Sequence, residues 1–134
     1  MPLCAPSFAR KHALHEANDI ARSVLIDSNL NPVRWSDRCR LNGVRLPRNA
    51  RPLFDGGSLA VAAAADGLGI ALETPRFAGP ELVKGSLVRL DGPGLSHIEQ
   101  PLHFVCFRRT RRHQPTIKAF VEWIVEQADA SGSV

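Results

Sequence analysis

The chain has 134 residues, 44% of them hydrophobic and 22% charged, which suits one modest globular domain and excludes a wholly disordered chain. No run approaches the ~18 apolar residues of a membrane span, and the first ten residues lack an apolar signal core, so a cytoplasmic location is expected. The net charge of +4 invites a nucleic-acid reading, but the basic cluster Arg108-Arg109-Thr110-Arg111-Arg112 has no aromatic platform or recognition motif beside it, and a solvated connection is the stronger expectation.

In chain order, Pro6 can open a short helix through Phe8 and Lys11. Ala17, Ile20, Ala21 and Val24 then fall on one helical face. Val24-Leu25-Ile26 reads as a short strand buried on both faces. Asn31-Pro32 breaks the pattern, and a helix is predicted over 35–41, closed by Gly43. Residues 44–52 are irregular and lead into a short extended piece at Pro52-Leu53-Phe54. Next comes the clearest local signal. Asp55-Gly56-Gly57-Ser58 is a flexible polar entry to an Ala-rich helix over 59–65, with Asp66-Gly67 as its stop. Gly69-Ile70-Ala71-Leu72 reads as a strand.

Glu81 to Lys84 reads as a helical turn ended by Gly85, followed by a strand over 87–90 and a turn at Asp91-Gly92-Pro93-Gly94. Residues 102–107 are expected to form a central strand, apolar on both faces. The last helix is predicted from Pro115, with Ile117, Phe120, Val121, Ile124, Val125 and Ala128 on one stripe. Alternating strands and helices make the class α/β.

Chemistry-bearing motifs are sparse. The sequence has no GxSxG, HExxH, GxGxxG or phosphate-loop pattern, and nothing arranges Ser, His and Asp as a triad, so no enzyme is expected. Cys4, Cys39 and Cys106 form no CxxC pair and no Cys/His cluster of zinc spacing; reduced, partly buried thiols and no metal or cofactor are expected. His103 reads as a hydrogen-bonded core residue, His12 and His15 as helix-surface residues, and Trp35 and Trp123 as packing groups.

The order of the pieces resembles the effector-binding domain of LysR-type transcriptional regulators. Asp66-Gly67-Leu68-Gly69-Ile70-Ala71-Leu72 after the Ala-rich helix is similar to that family's "aa..GlGiaL" segment. Glu81-Leu82-Val83-Lys84-Gly85-Ser86-Leu87-Val88 resembles "eL..G.Lv", and Pro115 through Ala119-Phe120 to Trp123-Ile124 resembles the terminal "P.i.aF..Wl" helix. Upstream, Cys4-Ala5-Pro6-Ser7-Phe8 through His12, Asn18-Asp19-Ile20-Ala21 and Leu25-Ile26 follow the family's earlier motifs in order. Each motif is weak alone; five in collinear order over residues 3–127 are specific.

The resemblance implies part of a type II periplasmic-binding-protein-like fold, with one complete lobe plus the closing strands and helix of the other. Residues 1–128 would form a partial effector-binding domain. Within it, 5–67 build lobe two, 69–72 a crossing strand and 73–128 the returning part of lobe one, with 129–134 a disordered tail. The winged-helix DNA-binding domain is expected to be absent from this chain, so DNA would be reached only through such a domain elsewhere.

The expected function is a small-molecule effector-binding module, with self-association as a homo-oligomer. The alternatives are an interaction protein that pairs with intact regulators or with itself, and a small basic nucleic-acid binder. The resemblance puts the effector in the cleft between lobes, one wall being Phe54, Asp55, Gly56, Gly57 and Ser58. Free N–H groups and the positive dipole end at a helix start independently favour a carboxylate there. The competing reading makes Asp55 or Ser58 a simple N-cap and the glycines a turn; an uncapped Asp55 would favour an amine or hydroxyl instead. Phe8, near the first crossing, and Phe104, on the returning strand, are further cleft residues, with core packing the competing reading for both.

Overall fold

The computed structural model describes residues 1–95, 98 and 104–130. The chain divides into two compact units, Met1–Gln100 and Pro101–Val134.

The first unit is built on a five-stranded sheet of order β3-β2-β4-β1-β5. The strands are β1 (Pro2–Cys4), β2 (Leu25–Ser28), β3 (Leu53–Phe54), β4 (Ile70–Leu72) and β5 (Val88–Arg89). β2 pairs in parallel with β3, Ser28 opposite Phe54, and with β4, Leu25 opposite Ile70. β1 runs antiparallel to β4, Leu3 opposite Ala71, and to β5, Leu3 opposite Arg89. Leu25, Ile26, Ile70, Ala71, Leu3 and Cys4 are all buried, because helices cover both faces of this short sheet.

Strand alternation divides the core. Cys4, Leu25, Ile70 and Leu72 face a cluster with Phe8 of α1 (Pro6–His12), Ala17 and Ile20 of α2 (Ala17–Ile20), and Trp35 and Cys39 of α3 (Trp35–Leu41). Leu3, Ile26 and Ala71 face the other cluster, with Ala60, Val61 and Ala64 of α4 (Gly57–Ala65) and Ala78 of α5 (Pro75–Lys84). Side chains alternate along a strand, so one residue of offset sends each neighbour to the opposite layer. The small residues of α4 let it lie close to the sheet, and Ala5 N–H donates to the Ala64 carbonyl at 3.2 Å.

Several elements differ in extent from the expectation. α2 is a single turn, started by a reciprocal cap in which Asp19 accepts the main-chain N–H groups of His15 and Glu16. Those two hydrogen bonds, more than its ion pair with Arg22, hold the Asp19 carboxyl below its ordinary value. α5 spans ten residues rather than one turn. Thr74 caps its start, Pro75 stands in the first turn, and Pro80 is accommodated inside it. Pro80 removes only one intrahelical hydrogen bond, and burial of Ala78 offsets part of that loss.

In the second unit, α6 (Pro115–Ala130) forms where the stripe predicts, but none of its residues is buried. The expected strand over 102–107 is corrected. Residues 104–107 are exposed and belong to no strand, and no described segment completes a ladder with them; Leu102 and His103 lie outside the described residues, as does 131–134 of the expected tail, whose residues 129–130 belong to α6. Trp123, expected to pack, is also exposed, at 53%, whereas Trp35 is fully buried. The arginine cluster forms an exposed 3-10 turn at Arg109–Arg111, as a solvated connection should. Cys4 and Cys39 are buried free thiols and Cys106 is exposed. Burial pushes the Cys4 thiol up to about 11, away from reactive character.

Candidate functional site

In an open α/β sheet the groups that meet ligands stand beyond the carboxyl ends of the parallel strands, where backbone carbonyls end and helices begin. Here β2, β3 and β4 end at Ser28, Phe54 and Leu72, and their loops are tied to one another. The Asn31 side-chain amide donates to the Leu72 carbonyl at 2.6 Å, and the Asn29 N–H to the Phe54 carbonyl at 2.8 Å. Arg34, at the start of α3, donates to the Ser28 and Asn29 carbonyls at 2.8 and 3.1 Å. Its charge holds this strand end together.

α4 begins at the same edge. Its N-cap is Gly56, and no side chain caps it. Asp55 is exposed and accepts from the Asn29 amide at 2.9 Å, while Ser58 points its residue to solvent. Neither capping reading therefore holds, and the first-turn N–H groups keep the unmet donor capacity of any helix start. Gly57 is buried. A Cβ there would stand 3.0 Å from Glu73 Oε2 and 3.0 Å from the Phe77 ring. Glycine at this position leaves room for a carboxylate beside the first turn of α4.

That carboxylate is the residue the sequence reading missed. Glu73 follows β4 directly and is only 3% exposed. Its Oε1 has no hydrogen-bond partner, and neither does the buried hydroxyl of Ser28. Burial raises the Glu73 carboxyl above its ordinary value, against the opposing influence of Ser28, the Thr74 N–H, Asn31 and the Met1 amine. That amine donates to the Glu73 main-chain oxygen at 2.7 Å, and burial pulls it down to about 6.

A stability effect follows. Because the folded pKa of Glu73 lies above the unfolded one, its contribution is fully present below the ordinary carboxylate range and is lost as pH rises through the raised value. Glu73→Gln removes the buried charge, and is expected to raise stability at pH 7 by about 1 kcal/mol. Thermal melts of the two proteins should therefore differ by roughly 3 °C at pH 7 and converge near pH 4. A variant less stable at pH 7 would mean that Glu73 is already paired.

Of the other expected residues, Phe54 is half-buried at the end of β3 and packs against the α4 cluster. Phe8 is buried in the opposite core layer and stacks on His12, with ring centroids 4.3 Å apart. Phe104 is 75% exposed and belongs to the second unit. The structure thus brings Phe54, Asp55, Gly56, Gly57 and Ser58 together with Ser28, Asn31 and Glu73, and leaves Phe8 in the core. The signal for Glu73 was an acidic residue at the end of an all-apolar strand, immediately before a Thr-Pro helix start. A surface hollow of about 360 Å³, lined by Ala21 and Arg45, Leu46, Pro47 and Arg48, includes none of these strand-end residues.

Comparison with known proteins bears on this geometry. The LysR substrate binding domain model matches residues 1–129. An HTH-type transcriptional regulator of Sinorhizobium fredii, y4mQ, is 31% identical over 144 residues, covering 99% of this chain and 44% of its own length. The regulator PerR of Escherichia coli is 29% identical over 126 residues, covering 94% and 42%. The chain thus spans less than half the length of the curated relatives it matches. Among solved structures, the effector domain of the regulator AmpR of Pseudomonas aeruginosa superposes with a TM-score of 0.72 at 23% identity, over 98% of this chain and 61% of that one. The regulatory domain of CrgA of Neisseria meningitidis gives 0.65 at 14% identity, over 93% and 62%. These likenesses establish the fold.

Proposed function

Since the chain belongs to the LysR substrate binding domain family, we propose that it is the effector-sensing module of a transcriptional regulator, holding a small molecule at the strand-end edge described above. The observation that carries this reading is the buried carboxylate of Glu73, whose Oε1 no donor meets in good geometry, beside an uncapped helix start. A fold leaves such groups unmet at a cost, and a ligand that meets them is the natural compensation. Phe54, Asp55, Gly56, Gly57 and Ser58 form the wall, and the α4 N–H groups favour a carboxylate or another acceptor on the effector.

The lobe boundaries are part of the proposal: 5–67 as lobe two, 69–72 as a crossing strand and 73–128 as the returning part of lobe one. Antiparallel pairing of β1 with β4 supports it, since two crossings between lobes must run in opposite directions. Effector binding would favour one lobe arrangement and so shift a population, with DNA contacted through a winged-helix domain outside these residues. Sensing, rather than catalysis, agrees with relatives that are transcriptional regulators. No helix among the described residues is long and apolar enough to cross a membrane, and a cytoplasmic site of action is proposed. Exposed Phe104, Phe107, Phe120 and Trp123 favour self-association as a homo-oligomer, which a sizing column reads directly.

The test is a thermal melt of the chain against a panel of small carboxylates, amines, sugars and aromatic acids. A saturable rise of at least ~3 °C with one class is expected, because a ligand at a hundredfold excess over its Kd stabilises by about 2.7 kcal/mol. A panel without any such rise would remove the sensing role from this chain.

A further inference from the structure

We propose that Glu73 is a ligand-binding residue that receives a protonated amine of the effector, an inference that rests on reading the strand-end edge as the effector site. Three observations converge. The carboxylate is almost wholly buried, yet Oε1 has no partner. Its other oxygen lies 3.0 Å from where a Cβ of Gly57 would stand, so the carboxylate sits at the first turn of α4, in space that any side chain at position 57 would contest. The Met1 amine, the group beside it that can carry positive charge, donates to the Glu73 main-chain oxygen and not to Oε1.

A buried carboxylate without a cation is costly, and the cost falls when a cation is supplied. The helix start supplies only part of that compensation, since its N–H groups carry partial charge. Asp55 adds a second negative group to the same edge, and its side-chain partner among the described residues is the neutral amide of Asn29. Two carboxylates around one helix start disfavour an effector that is only an anion. They favour one that brings an ammonium group to Glu73, with any acceptor group turned towards the N–H groups of α4.

The experiment uses matched probes on the full chain: a pool of amino acids, the corresponding 2-hydroxy acids, and amino alcohols that lack the carboxylate. Binding is read by thermal melts and by titration calorimetry, on wild type and on Glu73→Gln. Amine-bearing probes are expected to stabilise the wild type saturably, 2-hydroxy acids to bind at least tenfold more weakly, and Glu73→Gln to lose at least tenfold in amine affinity. Amino alcohols separate an amine contact alone from one that also needs the carboxylate. Glu73→Gln should melt no lower than wild type without probe, so loss of binding is not loss of fold. Equal binding of hydroxy acids and amines, or full amine affinity in Glu73→Gln, overturns the inference and leaves the sensing role standing. No response to any probe, here or in the wider panel, overturns both.

Discussion

Trp35→Ala is expected to cost about 4 kcal/mol and to lower the melting midpoint by roughly 12 °C. Trp35 opens α3 and is fully buried among Leu25, Cys39, Ile70 and Leu95. Truncation leaves a large void in the layer that α1, α2 and α3 share, and the sheet cannot collapse into it. Its indole N–H also donates to the Ile26 carbonyl at 2.9 Å, joining helix to strand. Trp35→Phe keeps most of the volume and loses only that hydrogen bond, so about 1 to 2 kcal/mol is expected for it. Urea unfolding of the two variants separates the terms. Because Arg34 precedes Trp35 and holds the Ser28 and Asn29 carbonyls, Trp35→Ala should also weaken any ligand bound at the strand ends. An unchanged unfolding midpoint would show that α3 does not anchor this layer.

Gly69→Ala should be nearly as damaging, at about 3 kcal/mol, for the opposite reason. A Cβ at Gly69 would stand 2.4 Å from the Val24 carbonyl oxygen, and backbone cannot rotate away as a side chain can. The same carbonyl accepts the Ile70 N–H at 2.9 Å, so relief of the clash would break the pairing that starts β4. Gly67 makes the useful contrast. It takes a positive φ of 81° but has open space around its Cβ position. Gly67→Ala is therefore expected to cost only the left-handed backbone penalty, about 1 kcal/mol. Chemical denaturation of both variants should rank Gly69→Ala well below Gly67→Ala. The reverse order would place the constraint at the end of α4 rather than at its approach to β2.

Much of this site was legible before any fold was known, and the reason is local. Gly56-Gly57-Ser58 before an Ala-rich run announces a helix start through backbone and propensity effects that need no distant partner, and α4 begins there, two residues earlier than the run itself suggests. The capping role assigned to Asp55 or Ser58 failed because both are exposed and Asn29, from the loop after β2, engages Asp55 instead. Asn29 and Asp55 meet only because β2 and β3 pair in parallel. Glu73 stayed hidden for a related reason: an acid after a strand looks like any solvated strand end.

The sequence by itself determined the kinds and order of the elements from β1 to β5 and the last helix, the burial of both faces at 25–26 and 70–72, and the family. These depend on periodicity, turn chemistry and motif order, all written along the chain. Only the tertiary structure decided which polar groups are buried without partners. The surroundings of Glu73 are set by Ser28, Gly57 and Phe77, and Ser28 lies 45 residues upstream. The same holds for the apolar run at 104–107 and the stripe of α6, where hydrophobicity alone cannot supply the strand or face that would cover them. In the first unit the tertiary structure also set five strands between two helix layers, each with its own apolar cluster.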